Sequence, residues 1–149
     1  MALGLINGTD LLLRVGTTDA NEAIIAYSTS CSLEISMDEI DQTSKDSQGW
    51  KDIIGGTRSW SVSSDALYAN ESQTNEDFRS LFDLLGGSSN GRSKIYVELA
   101  VNGGSNTDNN VYYHGYGYVT SLSVNGGTED QASFSVSITG SGILAETEL

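Results

Sequence analysis

The chain has 149 residues, a length typical of one domain that can bury its own hydrophobic core. Its single cysteine, Cys31, excludes an intramolecular disulfide, and a formal net charge of -13 disfavours binding to nucleic-acid phosphates or to anionic lipid. The run MALGLINGTDLLLRVG lacks a basic segment and is interrupted by Asp10, so we expect neither a signal peptide nor a membrane span.

Apolar and polar residues alternate in the first half of the chain, which predicts half-buried β-strands. The first predicted strand is Leu11–Gly16, and the second covers residues 25–36. In the second strand Thr29 interrupts the alternation. The apolar face of that strand consists of Ile25, Tyr27, Cys31, Leu33 and Ile35. A third strand is predicted over Arg58–Asp65, where Trp60 and Val62 share the apolar face.

One amphipathic helix is predicted over residues 75–85. Apolar residues recur there at i, i+3, i+4 and i+7, starting from Phe78. Thr74 fits an N-cap, and Gly86 supplies the left-handed residue that ends a helix. We therefore expect the helix to pack its apolar stripe against a sheet.

Three more strands are predicted after the helix. They cover residues 94–101, 111–124 and 131–141. Turns rich in glycine and asparagine, at residues 102–110 and 125–127, separate them.

Four of the predicted strands, at residues 25–36, 58–65, 116–124 and 131–141, carry one face of Ser, Gly, Thr and an occasional acid. Serine is a poor strand former, so its repetition indicates that a surface of small hydroxyls is required. A serine-rich exterior of a soluble β-sandwich would show the same pattern. We call the following residues the serine face: Ser28, Ser30, Ser32, Glu34, Ser36, Ser59, Ser61, Ser63, Asp65, Ser121, Ser123, Ser133, Ser135 and Ser137.

Residues 37–57 show no period and are interpreted as a long loop. Connections of that length inside compact domains are uncommon unless they are functional or disordered. This one contains Ile40, Trp50 and Ile53, which is too apolar for a disordered linker. Trp50 therefore either anchors the loop on a partner or caps the core of its own domain. The charged residues proposed for the loop interface are Asp41, Lys45, Asp46, Lys51 and Asp52.

Catalytic and metal-binding patterns are weak. No nucleophile-elbow, phosphate-loop or zinc-protease motif occurs, and His114 fits a strand or turn position. The acids Asp38, Glu39 and Asp41 do not have the spacing of a calcium loop. We expect no enzyme activity and no cofactor. A carbohydrate-binding platform stays open as an alternative, built on Tyr112, Tyr113, Tyr116 and Tyr118.

Several strings resemble, in order, the major tail tube proteins of long-tailed bacteriophages. They are NGTDLLLRV, TSCSLEIS, IDQTSKDSQGWKD and GGTRSWSVSSDALY, and the similarity is densest from Thr29 to Tyr68. One departure is Ile54, where relatives commonly carry a proline before the glycine that closes the loop.

The resemblance implies a mainly β fold: a two-sheet β-sandwich or barrel with one flanking α-helix, forming a single domain over residues 1–149. It implies hexameric rings that stack into a tube, with the serine face lining the lumen and Glu34 and Asp65 as its charged residues. The loop at 37–57 becomes an inter-ring or inter-subunit assembly arm.

The resemblance also implies partners and a location. The partners are other copies of the chain, the tape measure protein and the tail terminator or baseplate proteins. DNA transits the lumen without specific binding, no membrane is involved, and the subunit is assembled in the host cytoplasm into the virion tail. Two alternatives remain: a β-sandwich adhesion or carbohydrate-binding module, and a related hexameric secretion-tube protein.

Overall fold

A computed structural model of the chain describes residues 8, 11–16, 23–25, 28–68, 78–86, 93–101 and 111–148. Its strands are β1 Leu12–Gly16, β2 Ala23–Ile24, β3 Ser28–Asp41, β4 Ile53–Leu67, β5 Ile95–Ala100, β6 Val111–Asn125, β7 Ser133–Gly140 and β8 Ala145–Glu148. The helix α1 spans Phe78–Leu85, and a short 3-10 turn spans Lys45–Ser47.

The strands form one antiparallel sheet in the order β2-β1-β5-β6-β7-β4-β3, with β8 also paired to β6. The predicted mainly β fold is confirmed. A division into two sheets is not confirmed, because these ladders join all the described strands. The sheet is curled, since the Cys31 thiol of β3 lies 3.6 Å from the carbonyl oxygen of Leu11, next to β1, although four strands separate β3 from β1.

The curled sheet encloses one apolar core. Leu13 of β1, Val97 of β5 and Phe134 of β7 belong to the same buried cluster, although they come from distant strands. The helix α1 contributes the buried Leu81 and packs Phe78 against the cluster. Burying a side chain of this size stabilises a fold by about 1.5–3 kcal/mol, so the cluster is a main source of stability.

Trp60 of β4 is packed against glycine backbone. Its indole Nε1 donates a hydrogen bond to the carbonyl oxygen of Gly142 at 3.2 Å. A Cβ atom at Gly140 would lie 2.0 Å from the ring, and one at Gly115 would lie 2.7 Å from it. Because no real Cβ approaches that closely, both positions need glycine for the indole to fit.

The helix ends as predicted, because Gly86 has a left-handed φ of 96°. Its described part begins at Phe78, and the predicted N-cap Thr74 lies outside the described residues. Tyr27 and the turn predicted at 102–110 also lie outside them.

The loop predicted at residues 37–57 is wrong in extent. β3 and β4 continue into it as a paired ladder, with Ile40 opposite Ile54, and only residues 42–52 lie between the two strands. A register shift between Met37 and Glu39 interrupts the ladder. This irregularity hides the alternation in the sequence, because apolar residues fall on both faces beyond it. We call Met37–Thr57 the hairpin arm.

Candidate functional site

The serine face forms a continuous surface over β3, β4, β7 and β6, which lie side by side in that order. Its side chains are in register from strand to strand, in rows that cross the sheet. The rows are Ser30–Asp65–Ser135–Ser123, Ser32–Ser63–Ser137–Ser121, Glu34–Ser61 and Ser36–Ser59. Ser133 continues the same face on β7, opposite Asn125 of β6.

Hydroxyls on this face bond to one another across the strands. The Ser32 and Ser63 hydroxyls are 2.6 Å apart, and those of Ser36 and Ser59 are 2.9 Å apart. Such pairs use part of the hydrogen-bonding capacity that would otherwise face outward. The strand segments 28–36, 59–65, 118–125 and 133–139 contain no Lys or Arg, so the surface is hydroxylated and weakly acidic.

Asp65 is the acid at the centre of this surface. Its carboxylate accepts hydrogen bonds from the Ser135 hydroxyl at 2.6 Å and from the Ser30 hydroxyl at 2.9 Å. The bond from Ser135, followed by that from Ser30, lowers the pKa of Asp65 below its ordinary value, because both favour the charged form. The hydroxyls thus hold a negative charge in place on the sheet.

Ser28 is the one residue of the predicted serine face that the structure places elsewhere. A register shift between Ser28 and Ser30 sets Ser28 opposite Ala66, a core residue. Its hydroxyl lies 3.1 Å from that of Ser64, which is buried on the core side. The interruption at Thr29 was the sequence signal of this bulge.

The tip of the hairpin arm has a defined conformation. The Thr43 backbone N–H donates to the Asp41 carboxylate at 2.8 Å, and Gln42 Nε2 donates to the Asp52 carboxylate at 2.9 Å. The Thr43 hydroxyl and its backbone N–H lower the pKa of Asp41. Ser44 caps the 3-10 turn, and Lys51 pairs with Glu39 at 2.9 Å. Local bonds therefore hold the tip without support from the core.

Trp50 projects from this tip and is 81% exposed. Its backbone N–H donates to the carbonyl oxygen of Ser47 at 2.9 Å, which closes the turn while the indole stays outside. The interpretation of Trp50 as a cap on the core of its own domain is therefore wrong. The paired part of the arm also exposes large apolar side chains, namely Met37, Ile40, Ile53 and Ile54.

Both edges of the serine-faced strands are unpaired in the described part of the chain. β3 pairs with β4 alone, and the pairing of β6 with β5 stops at Gly117, so residues 118–125 bond only to β7. Free edges of this length are templates for pairing with another chain.

The tyrosine platform has little geometric support. Tyr113 packs against the core and Tyr112 is buried, which leaves Tyr116 and Tyr118 as the substantially exposed tyrosines of the four.

His114 lies in β6, where its Nε2 is 2.8 Å from the Thr147 hydroxyl. Among the described residues no group of three His, Cys, Asp or Glu side chains could hold a metal ion. The helix described here is too short to cross a membrane.

Comparison with known proteins gives a consistent result. The model of a family described as "Phage tail tube protein" matches residues 5–146. No curated protein matches the chain significantly.

Solved structures share the fold at low sequence identity. The tail of an empty gene transfer agent particle, refined with C6 symmetry, is 24% identical with a TM-score of 0.73, covering 96% of this chain and 99% of that chain. The SPP1 tail tube is 14% identical with a TM-score of 0.74, covering 97% of this chain and 80% of that one. A chain of the sheath-tube complex of an extracellular contractile injection system is 16% identical with a TM-score of 0.66, covering 99% of this chain and 95% of that one.

Proposed function

The chain belongs to the phage tail tube protein family, and from that premise we propose that it is a structural subunit that assembles into stacked hexameric rings around a DNA-conducting lumen. The observation that carries the proposal is the four-strand serine surface with a free edge on each side. We also propose a non-enzymatic role in the virion tail, which the family match supports, and assembly in the host cytoplasm.

Closing the ring pairs the free backbone N–H and C=O groups of the two edge strands. β3 of one copy pairs with residues 118–125 of β6 in the next, and repetition around a six-fold axis closes a barrel without edges. Within the subunit the strands alternate in direction from β3 to β6, so the junction between copies is also antiparallel. The closed barrel turns one sheet face toward its axis.

The serine face is the surface that suits the lumen. A duplex carries one negative charge per about 1.7 Å of its axis, so a basic bore would bind it through counterion release. Short hydroxyls and the acids Glu34 and Asp65 give no such binding. DNA therefore passes without a specific site.

The hairpin arm is the assembly device along the tube. Its preformed tip presents Trp50 at little conformational cost, and aromatic side chains of this kind often dominate interface energies. The charged residues around Trp50 form a polar rim. We assign the arm to contact with a neighbouring ring or subunit. As further partners of the tube we propose the tape measure protein and the tail terminator or baseplate proteins.

The lumen assignment is tested with lysines on the serine face. In virions assembled with a Ser32→Lys/Ser137→Lys subunit, we expect tails of normal length and slower genome ejection, measured by fluorescence of released DNA. Because the added attraction is ionic, the delay should shrink as salt concentration rises.

The matched control is Ser32→Gln/Ser137→Gln, which adds similar length without charge. It should eject at a rate much closer to that of wild type. Equal ejection rates for the lysine and glutamine virions would refute the lumen assignment. Absence of rings or tubes in electron micrographs of the concentrated wild-type protein would refute the proposed function itself.

A further inference from the structure

An apolar groove lies between α1 and β6. It is lined by Leu84, Leu85, Tyr118 and Val119 and has a volume of about 510 Å³. Leu85 is 38% exposed, and Phe82 of the same helix is also exposed. Val119 stands opposite the core residue Ile138, whereas the neighbouring Tyr118 stands opposite Thr139 on the serine-face side. Apolar side chains line the groove at the free edge of β6, where the described chain leaves it open.

A matching apolar stripe lies on the other free edge. Ile35 and Met37 of β3 are 59% and 53% exposed. Ile35 stands opposite Trp60 in the ladder, so it points to the core side of the sheet, away from the serine face. Leu33, the preceding residue on that side, packs against the core of its own subunit.

We propose that Ile35 and Met37 of one subunit fill the groove beneath α1 of the next subunit in the ring. This inference rests on the proposed ring. When β3 of one copy pairs with residues 118–125 of β6 in another, side chains alternate across the junction as they do within a sheet. If the serine faces of both copies line one lumen, the core-side faces of the two paired edge strands also lie on the same side of the junction.

The residues that fill the groove follow from the alternation of side chains across the strand junction. The core side of β6 at this edge carries Val119, and α1 lies above it. The strand added at the edge contributes its own core-side residues to the same space, and in this chain those are Ile35 and Met37. The ring therefore has an apolar seam outside the barrel, at the base of the hairpin arm and distinct from the contact made by Trp50 at the arm's tip.

Cross-linking tests this seam. We expect tubes of an Ile35→Cys/Leu85→Cys variant, treated with a short bismaleimide, to give a ladder of covalent oligomers up to the hexamer on denaturing gels. The matched control is Ser36→Cys/Leu85→Cys, which moves the thiol to the adjacent residue on the opposite face. It should give at least tenfold less cross-linked product. Cys31 is present in both variants and contributes the same background.

A second pair of variants tests the seam even if the cysteine variant fails to assemble. Ile35→Asp alters a side chain that is exposed in the monomer, so the monomer should fold, whereas rings should be lost. Ser36→Asp should still form tubes. Tubes that give no ladder, equal ladders for the two cysteine pairs, or normal tubes from Ile35→Asp would each overturn the seam while leaving the proposed function standing. Failure of the wild-type protein to form tubes would instead remove the proposed function.

Discussion

The two halves of the β3–β4 hairpin differ in what covers their apolar residues. In the half next to the body, Ser28–Ser36 with Ser59–Leu67, one face enters the core and the other carries hydroxyls. In the hairpin arm, apolar side chains are exposed on both faces. Apart from Ile35, the apolar residues of the first half are covered within one chain. In our proposal the second half acquires its partners in the assembly.

The two tryptophans show the same difference. Trp60 is 5% exposed and bonded to the backbone of Gly142, whereas Trp50 is 81% exposed at the arm tip. Residues of one type on one hairpin are thus expected to act at different stages, one in folding and the other in assembly. Substitutions at the two positions should separate these stages.

The largest effect is expected for Trp60→Ala. Removing a buried aromatic side chain lowers the free energy of unfolding by about 3–5 kcal/mol. In this protein it also empties the space that the indole fills against Gly115 and Gly140. Urea unfolding followed by tyrosine and tryptophan fluorescence should show a free energy of unfolding lower by this amount. Trp60→Phe should lose less, because it keeps most of the apolar contact. An alanine variant as stable as wild type would contradict the assignment of Trp60 to the core.

A smaller and different effect is expected for Trp50→Ala. The free energy of unfolding of the monomer should stay within about 0.5 kcal/mol of wild type, because the indole covers nothing in its own chain. Negative-stain microscopy should show no long tubes. Lys45→Ala, a change at the rim of the same tip, should still form them. Long tubes from Trp50→Ala would show that the arm does not depend on this anchor.

The sequence predicted the regular parts of the molecule well. The alternating segments became β1, β3–β7 and the serine face, because side-chain alternation in a strand depends only on the strand. The prediction failed where the strand changes register. Ser28 lies beyond a bulge, and the arm contains another, so alternation read along the sequence crossed positions where the ladder shifts. The position of a bulge depends on the partner strand, which a single sequence does not specify.

The family resemblance contributed what alternation could not. Nothing in the spacing of the serines reveals that four strands end in two free edges, because strand order is a property of the whole sheet. Ser64 was also missed as a buried polar group. Its hydroxyl donates to the carbonyl oxygen of Ser30 at 2.8 Å, a bond that depends on the bulge in β3.

The smallest expected effect concerns Asp65 and tests whether the hydroxyls of the body half act on charge. Bonds from Ser135 and Ser30 lower its pKa in the folded state, so the unfolded chain takes up the proton first as the pH falls. The stabilisation is present above the unfolded value of about 3.9 and is lost as the pH drops through the lower folded value. Between about pH 5 and pH 2, wild type should therefore lose more unfolding free energy than Asp65→Asn does.

The other carboxylates titrate in both proteins, so the difference between the two curves isolates Asp65. Because this carboxylate is almost fully open to solvent, screening keeps the difference small. A Ser30→Ala/Ser135→Ala variant keeps the acid and removes both donors, and it should flatten the pH dependence in the same way. Superimposable curves for wild type and Asp65→Asn would mean that the serine hydroxyls do not stabilise the charge.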